Sequence, residues 1–161
     1  MLKTGLFSLL IARVLCEAST PSFHTTAKRK TEHFPWESFK DKTGVDEKDY
    51  LNTPAKGVPV TYSCTTKPGP NPVDCSDAFS DWDRQADSND LLHFDAGDCA
   101  SLTEGTCEVV VCAPLGALSI NKAEIVGRMW NPLSIKCIMG GTGAIYQSDD
   151  SEFVVGIARP V

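Results

Sequence analysis

Cysteine is the residue type whose number and spacing say most about the chemistry of this chain. The sequence holds seven cysteines, of which Cys16 lies in an apolar N-terminal run. An even set in a compact downstream region is typical of a secreted domain held together by three disulfides. The six cysteines predicted to form them are Cys64, Cys75, Cys99, Cys107, Cys112 and Cys137.

Cys107 and Cys112 enclose the apolar run "CEVVVC", whose β-branched residues predict a strand. Their odd spacing places them on opposite faces of a sheet, with α-carbons roughly 16 Å apart. Disulfide-bonded α-carbons lie within about 7 Å, so the two cannot bond to each other. The same separation, and the absence of a C-x-x-C motif, argue against a shared zinc ion. Each cysteine is expected to join a different element, and all fifteen pairings stay open.

His93 is the one histidine after Cys64 and lies in the predicted strand "LLHFDA". Hydrolysis of a phosphate ester needs a base, an acid and cations that stabilise the developing charge. The neighbours of His93 in the sequence are anionic instead, namely Asp90, Asp95 and Asp98. We therefore predict no catalytic residues and no enzyme, with a ribonuclease-like or other small hydrolase as the alternative.

Cofactor and metal motifs are missing from the sequence. The stretch "MGGTGAIY" precedes a strand and lacks the Gly-Lys-Ser/Thr of a phosphate loop. The acidic stretch "DAFSDWDRQADSND" lacks the central glycine and terminal glutamate of an EF-hand. We predict no cofactor and no metal site, and expect binding through exposed side chains. The candidates are Trp82, His93, Trp130 and Tyr146, although the two tryptophans also fit core positions.

The sequence predicts two helices and several strands. Asn71 followed by Pro72 marks the start of a helix, in which Cys75, Phe79 and Trp82 share one apolar stripe. Five charged residues are predicted to face water from this segment, namely Asp77, Asp81, Asp83, Arg84 and Asp87.

Asn121 caps a second predicted helix, which ends or kinks at Pro132. Strands are predicted at "GVPVTYSC", "LLHFDA" and the Cys107 run, with a polar turn at "LTEG" and a final hairpin about "SDDS". The fold class is α+β, with two helices packed on a small, mainly antiparallel sheet stapled by disulfides.

The first 57 residues are predicted to lie outside that domain. Residues 1–18 have the charged start, apolar run and small residues of a secretory signal peptide, cleaved near Ala18. Residues 19–57 are predicted to be a polar arm or pro-segment with little fixed structure, in which Lys28 and Arg29 are either a dibasic processing site or part of a solvated run of charge. Alternatively, the aromatic residues of this arm dock on a partner or pack onto the domain itself. Residues 58–161 form the cysteine-rich domain of a secreted, extracellular protein.

Charge narrows the range of partners. The chain carries 15 basic and 21 acidic side chains, and the region from Cys64 to Val161 has a net charge of −8. An acidic domain repels phosphate backbones and anionic lipid surfaces, so nucleic acid is not an expected partner. No second apolar run approaches the roughly 20 residues of a membrane helix, so no membrane anchor is expected. A monomer is predicted.

Several short motifs of the cysteine-rich region occur in a known order. They are Tyr62-x-Cys64, Asp74-Cys75, Gly105-Thr106-Cys107, Glu124-Ile125 and "GTGAIY". With these motifs the domain resembles fungal cysteine-rich effectors, and it is similar to the extracellular necrosis-inducing-factor effector family and, more distantly, to the small α/β killer toxins, over about residues 60–157. In that family the final cysteine follows the glycine-rich strand, whereas here Cys137 precedes it.

The resemblance implies a protein secreted by a fungus that acts on a plant host or a competing microbe, without catalytic residues. We therefore expect a virulence-associated effector that binds a host or competitor protein or a cell-wall component, and that induces necrosis. A killer-toxin-like antimicrobial protein is the remaining alternative.

Overall fold

The structure is a computed structural model that describes residues 30–51 and 62–161. The predicted signal peptide and the processing residues Ala18, Lys28 and Arg29 lie outside the described residues, so these stay predictions. The strands are β1 (Glu32–Pro35), β2 (Tyr62–Pro68), β3 (Leu91–Phe94), β4 (Asp98–Glu104), β5 (Cys107–Ala113), β6 (Leu118–Asn121), β7 (Thr142–Gln147) and β8 (Val154–Ala158). The α-helices are α1 (Phe39–Thr43), α2 (Glu47–Leu51), α3 (Pro72–Asp83) and α4 (Lys122–Arg128).

Six strands form the central sheet in the order β1-β4-β5-β8-β7-β2, and every neighbouring pair is antiparallel. Strands β3 and β6 form a separate antiparallel ribbon. The predicted α+β class with a mainly antiparallel, disulfide-stapled sheet is confirmed. In the described part of the chain, no helix is long and apolar enough to cross a bilayer.

Helices α3 and α4 cover one face of the sheet, as predicted. The Asn71 side chain caps α3 by accepting a hydrogen bond from the Val73 amide at 3.1 Å, and Asn121 caps α4 in the same way. Because α3 lies flat on the sheet, its buried stripe also takes in Asp81, which was predicted to face water. The carboxylate of Asp81 forms an ion pair with Arg84, which offsets the cost of its burial.

The chain after α4 changes direction at Asn131, as Pro132 predicts. Met129–Ser134 forms a further helical segment whose backbone leaves helical geometry at Asn131, with φ −140° and ψ 116°. Met129 and Leu133 turn inward at this point and join the core under the helices.

Residues 30–51 cover the opposite face of the sheet. Strand β1 pairs with β4, and buried apolar residues of this segment pack on the side chains that β5, β7 and β8 direct to this face. The expectation that this part of the arm has little fixed structure is therefore wrong, and the alternative that its aromatic residues pack onto the domain is correct. The buried residues of the segment are Phe34, Phe39, Val45 and Leu51.

Phe39 lies directly over Gly156 in the middle of the sheet. A Cβ atom at position 156 would come within 2.8 Å of the Phe39 ring, so only glycine leaves room for it. The segment is therefore fitted to the sheet by close packing, which is how protein cores are filled.

Three disulfides link the elements, and Cys107 and Cys112 are on opposite faces as predicted. Cys107 bonds to Cys75 on α3, and Cys112 bonds to Cys99 on β4 beneath the 30–51 segment. The third bond joins Cys64 on β2 to Cys137 after the Met129–Ser134 segment.

Strand β4 extends through the region predicted as a polar turn. The turn itself is Gly105-Thr106, where Gly105 adopts a left-handed φ of 52°. The Asp74 carboxylate accepts hydrogen bonds from the amide and the hydroxyl of Thr106, both at 2.7 Å. Helix α3 thereby holds the β4–β5 turn close to the Cys75–Cys107 disulfide.

Candidate functional site

Trp82 is a core residue and not an exposed binding residue. Its indole N–H donates to the Val109 carbonyl at 3.4 Å, and its ring packs near Phe94 with centroids 6.1 Å apart. A side chain enclosed between α3 and the sheet cannot meet a partner, so this candidate is corrected.

Tyr146 is also buried, although it lies on a strand near the end of the sheet. Its ring packs against Phe153 at 5.7 Å, and the guanidinium of Arg128 lies over it at 5.4 Å. Burial raises the pKa of the Tyr146 hydroxyl above its ordinary value. Its role is to pack α4 onto the sheet, so it too is removed from the set of exposed candidates.

Trp130 is exposed, together with two neighbours that sequence analysis did not single out. The exposed fractions are 43% for Trp130, 60% for Ile135 and 70% for Met139. We call these three side chains the 130–139 surface. All three fall within ten consecutive residues of the chain, and exposed apolar groups that cluster are typical of interaction sites.

The backbone beneath the 130–139 surface is held in place. Met129 and Leu133 are buried in the core, and the ring of Trp130 rests edge-on against Phe79 at 5.0 Å. Cys137 ties the end of the segment to strand β2 through its disulfide. The exposed side chains therefore project from a fixed base.

His93 is exposed and lies between a hydroxyl and a carboxylate. Its Nδ1 is 2.9 Å from Oγ of Ser119, its partner across the β3–β6 ribbon, and its Nε2 is 3.1 Å from Oδ2 of Asp87. Asp87 also accepts hydrogen bonds from the amides of Asn89 and Leu91. Hydrogen bonds from Leu91, His93 and Asn89 lower the pKa of Asp87 to about 2.

A histidine that contacts a serine through one ring nitrogen and a carboxylate through the other meets two geometric criteria for an activated nucleophile. Ser119 also lines a cavity of about 530 Å³. The charged groups that the described residues place in that cavity are Asp150 and Glu152, which would repel an oxyanion forming at Ser119. The surroundings therefore oppose the charge that acyl transfer would create.

The same type of contact recurs at His33 on strand β1. Its Nδ1 lies 2.7 Å from Asp98, and its Nε2 lies 3.2 Å from the hydroxyl of Thr31. The contacts of His33 and those of His93 are exposed, and both sets join a strand to a neighbouring element. Their repetition favours a role in fixing the ends of strands.

Groups of three or more His, Cys, Asp or Glu side chains able to hold a metal ion do not occur in residues 30–51 and 62–161. The six cysteines of the described region are all in disulfides. The polar arrangement at His93 and the 130–139 surface are thus the candidate sites to compare.

The hydrogen bonds to Asp87 predict a pH dependence of stability. Because its pKa is lowered in the folded state, its contribution to stability is present above about pH 4 and is lost as the pH falls toward 2. We expect Asp87→Asn to lower the free energy of unfolding at pH 5.5 and to have little effect at pH 1.5, as measured by urea unfolding. Asp77→Asn, an exposed change on α3, is the control and should be silent at both values. An equal effect of Asp87→Asn at both pH values would contradict the prediction.

Comparison with known proteins gives no relative: no family model, no curated protein and no solved structure matches the chain. The class to which the protein belongs is therefore defined by its own architecture. It is a disulfide-stapled α+β domain in which both faces of the sheet are covered.

Proposed function

We propose that this protein is a secreted, non-enzymatic effector that acts by binding a host or competitor protein through the 130–139 surface. The observation that supports this most is the exposure of Trp130, Ile135 and Met139 on a backbone fixed by buried neighbours and a disulfide. Trp and Met are enriched at protein interfaces, and a fixed backbone reduces the entropy lost on binding.

Secretion is supported by the disulfides and by the predicted signal peptide. Three disulfides in a region of about 100 residues are typical of proteins that fold in an oxidising compartment. A fungal source, a plant or microbial target and the induction of necrosis rest on the family resemblance of the cysteine motifs.

A protein target is favoured over other partners by the charge and the chemistry of the surface. The net charge of −8 from Cys64 to Val161 disfavours RNA, DNA and anionic lipid. Two of the three side chains of the surface, Ile135 and Met139, offer no hydrogen-bond donor to a cell-wall sugar, whereas all three suit an apolar protein surface.

A second candidate function is hydrolysis with Ser119 as nucleophile, which is favoured by its contact with His93. The Ser119 hydroxyl would lose its proton to His93, while Asp87 would stabilise the resulting imidazolium. The acidic cavity beside Ser119 and the second array at His33 make this the weaker candidate.

One experiment compares the two candidates. The secreted protein is infiltrated into leaf tissue and applied to yeast cultures, and cell death and growth inhibition are scored. We expect activity to be lost in the triple variant Trp130→Ser, Ile135→Ser, Met139→Ser and retained in Ser119→Ala. The control is Val73→Ser, which removes an apolar side chain that is 68% exposed on α3, away from both candidate sites.

The outcomes separate the candidates. Loss of activity in Ser119→Ala with retention in the triple variant would favour hydrolysis over binding. Equal loss in the triple variant and its control would show that the 130–139 surface has no special role. Inactivity of the unmodified protein against a panel of plants and yeasts would contradict the effector proposal. Thermal unfolding of each variant checks that the fold is kept.

A further inference from the structure

A second cavity, away from the 130–139 surface, has a charge opposite to that of the domain. It has a volume of about 350 Å³ and lies where the end of α1 meets strand β2 and the residues after β8. Its cationic lining residues are Lys67 and Arg159, and no Asp or Glu of residues 30–51 and 62–161 lines it. A lining with two cations and no such acid is notable in a region whose net charge is −8.

Each cation lies beside a glycine. Gly44 ends α1 in the left-handed conformation with φ 63°, and Nζ of Lys67 lies in the space that a Cβ atom at Gly44 would need. Nε of Arg159 donates to the Gly69 carbonyl at 2.7 Å, which orients the guanidinium. Among the described residues, no carboxylate forms an ion pair with either cation.

Thr65 adds a polar group with unused hydrogen-bonding capacity. The residue is only 3% exposed, lines the cavity, and its hydroxyl has no hydrogen-bond partner among the described residues. No buried side-chain oxygen or nitrogen of the described residues lacks a hydrogen-bond partner, so the Thr65 hydroxyl is open to the cavity and not enclosed. Thr43, the other hydroxyl of the cavity, is already paired with the backbone of Phe39 and Val45. Thr65 is therefore the hydroxyl that can bond to a ligand oxygen.

The rest of the wall is apolar. Val45, Pro68 and Ala158 contribute hydrocarbon surface beside the polar groups. The volume falls at the lower end of the range for small-molecule sites, about 300 to 1,000 Å³. The cavity thus combines a cationic end with an apolar wall, which fits a ligand that has an anionic head and a short hydrocarbon body.

We infer that this cavity binds a small organic acid. Its carboxylate would accept charge-assisted hydrogen bonds from Lys67 and Arg159 and a further bond from the Thr65 hydroxyl. Its hydrocarbon part would cover Val45 and Ala158. This cavity is separate from the 130–139 surface. Either proposal can therefore be correct when the other is wrong.

The test is a titration of the full secreted chain, labelled with nitrogen-15, followed by amide chemical shifts. The probes are hexanoate, acetate, inorganic phosphate and the neutral alcohol hexanol. We expect hexanoate to shift the amides of Thr65, Gly143 and Arg159 saturably, and to bind more tightly than the other three probes.

Variants assign the contacts. Since a hydrogen bond to a charged group contributes more than a neutral one, Lys67→Ala and Arg159→Ala should each weaken hexanoate binding by about tenfold or more. Thr65→Val, which keeps the side-chain shape, should weaken it several-fold. Lys136→Ala removes a cation that does not line the cavity and should leave the affinity unchanged.

Four results would overturn the inference. The first is the absence of saturable shifts with hexanoate, and the second is equal weakening by Lys136→Ala and Lys67→Ala, which would indicate a general charge effect. Tighter binding of phosphate than of hexanoate would contradict the apolar part of the site. Equal binding of hexanol and hexanoate would contradict the anionic part.

Discussion

Replacing Phe39 by alanine is expected to lower the free energy of unfolding by about 3–5 kcal/mol, the usual cost of removing a buried phenylalanine. Phe39 is fully buried between the sheet and the rest of the 30–51 segment. Its ring rests on Gly156, which has no side chain to fill the space. The variant would therefore leave a cavity between two layers of the fold.

Urea unfolding monitored by circular dichroism measures this loss. Val73→Ala, which shortens an apolar side chain that is 68% exposed, is the control and should change the free energy of unfolding by less than about 0.5 kcal/mol. A loss below about 1 kcal/mol for Phe39→Ala would mean that the 30–51 segment contributes little to stability.

Removing the Cys64–Cys137 disulfide should cost about 4 kcal/mol, the largest loss expected from any of the three bonds. A disulfide stabilises the fold mainly by restricting the unfolded chain, and the effect grows with the length of the closed loop. Cys64 and Cys137 are 73 residues apart, whereas Cys99 and Cys112 are only 13 apart. The shorter loop predicts a loss of about 3 kcal/mol.

Paired alanine variants test this order by urea unfolding under oxidising conditions. The Cys64→Ala, Cys137→Ala pair should be less stable than the Cys99→Ala, Cys112→Ala pair. The reverse order would show that local packing, and not the length of the loop, decides the contribution of each bond. Mild reduction gives a second measurement: Cys64 is exposed and the other five cysteines are buried, so its bond should be reduced first.

Local signals in the sequence predicted much of the fold. The Asn71-Pro72 start, the Asn121 cap and the Cys107 strand depend on interactions within a few residues, so the sequence records them directly. The opposite faces of Cys107 and Cys112 follow from the alternation of a strand. The three pairings could not be predicted, because they depend on which elements meet in space.

The 30–51 segment was missed because its elements are only three to five residues long. Buried residues in such short elements follow no helical or strand period, and their neighbours are polar. The contact of His93 with Ser119 was missed for a related reason, since it requires the pairing of β3 with β6 across 26 residues. The burial of Trp82 agrees with the apolar stripe that the sequence predicted for its helix. The burial of Tyr146 depends on the position of β7 inside the sheet, which the sequence does not show.

The two-sided covering of the sheet limits how this molecule can be recognised. Helices cover one face of the sheet and residues 30–51 cover the other. The side chains of the central strands are therefore inaccessible to a ligand or a partner protein. A ligand or partner must approach the outer layers, the rims where these layers meet, or the outer strands β1 and β2. Changes of sequence within the inner strands should therefore alter folding yield, and only changes on this outer shell should alter which molecules are engaged.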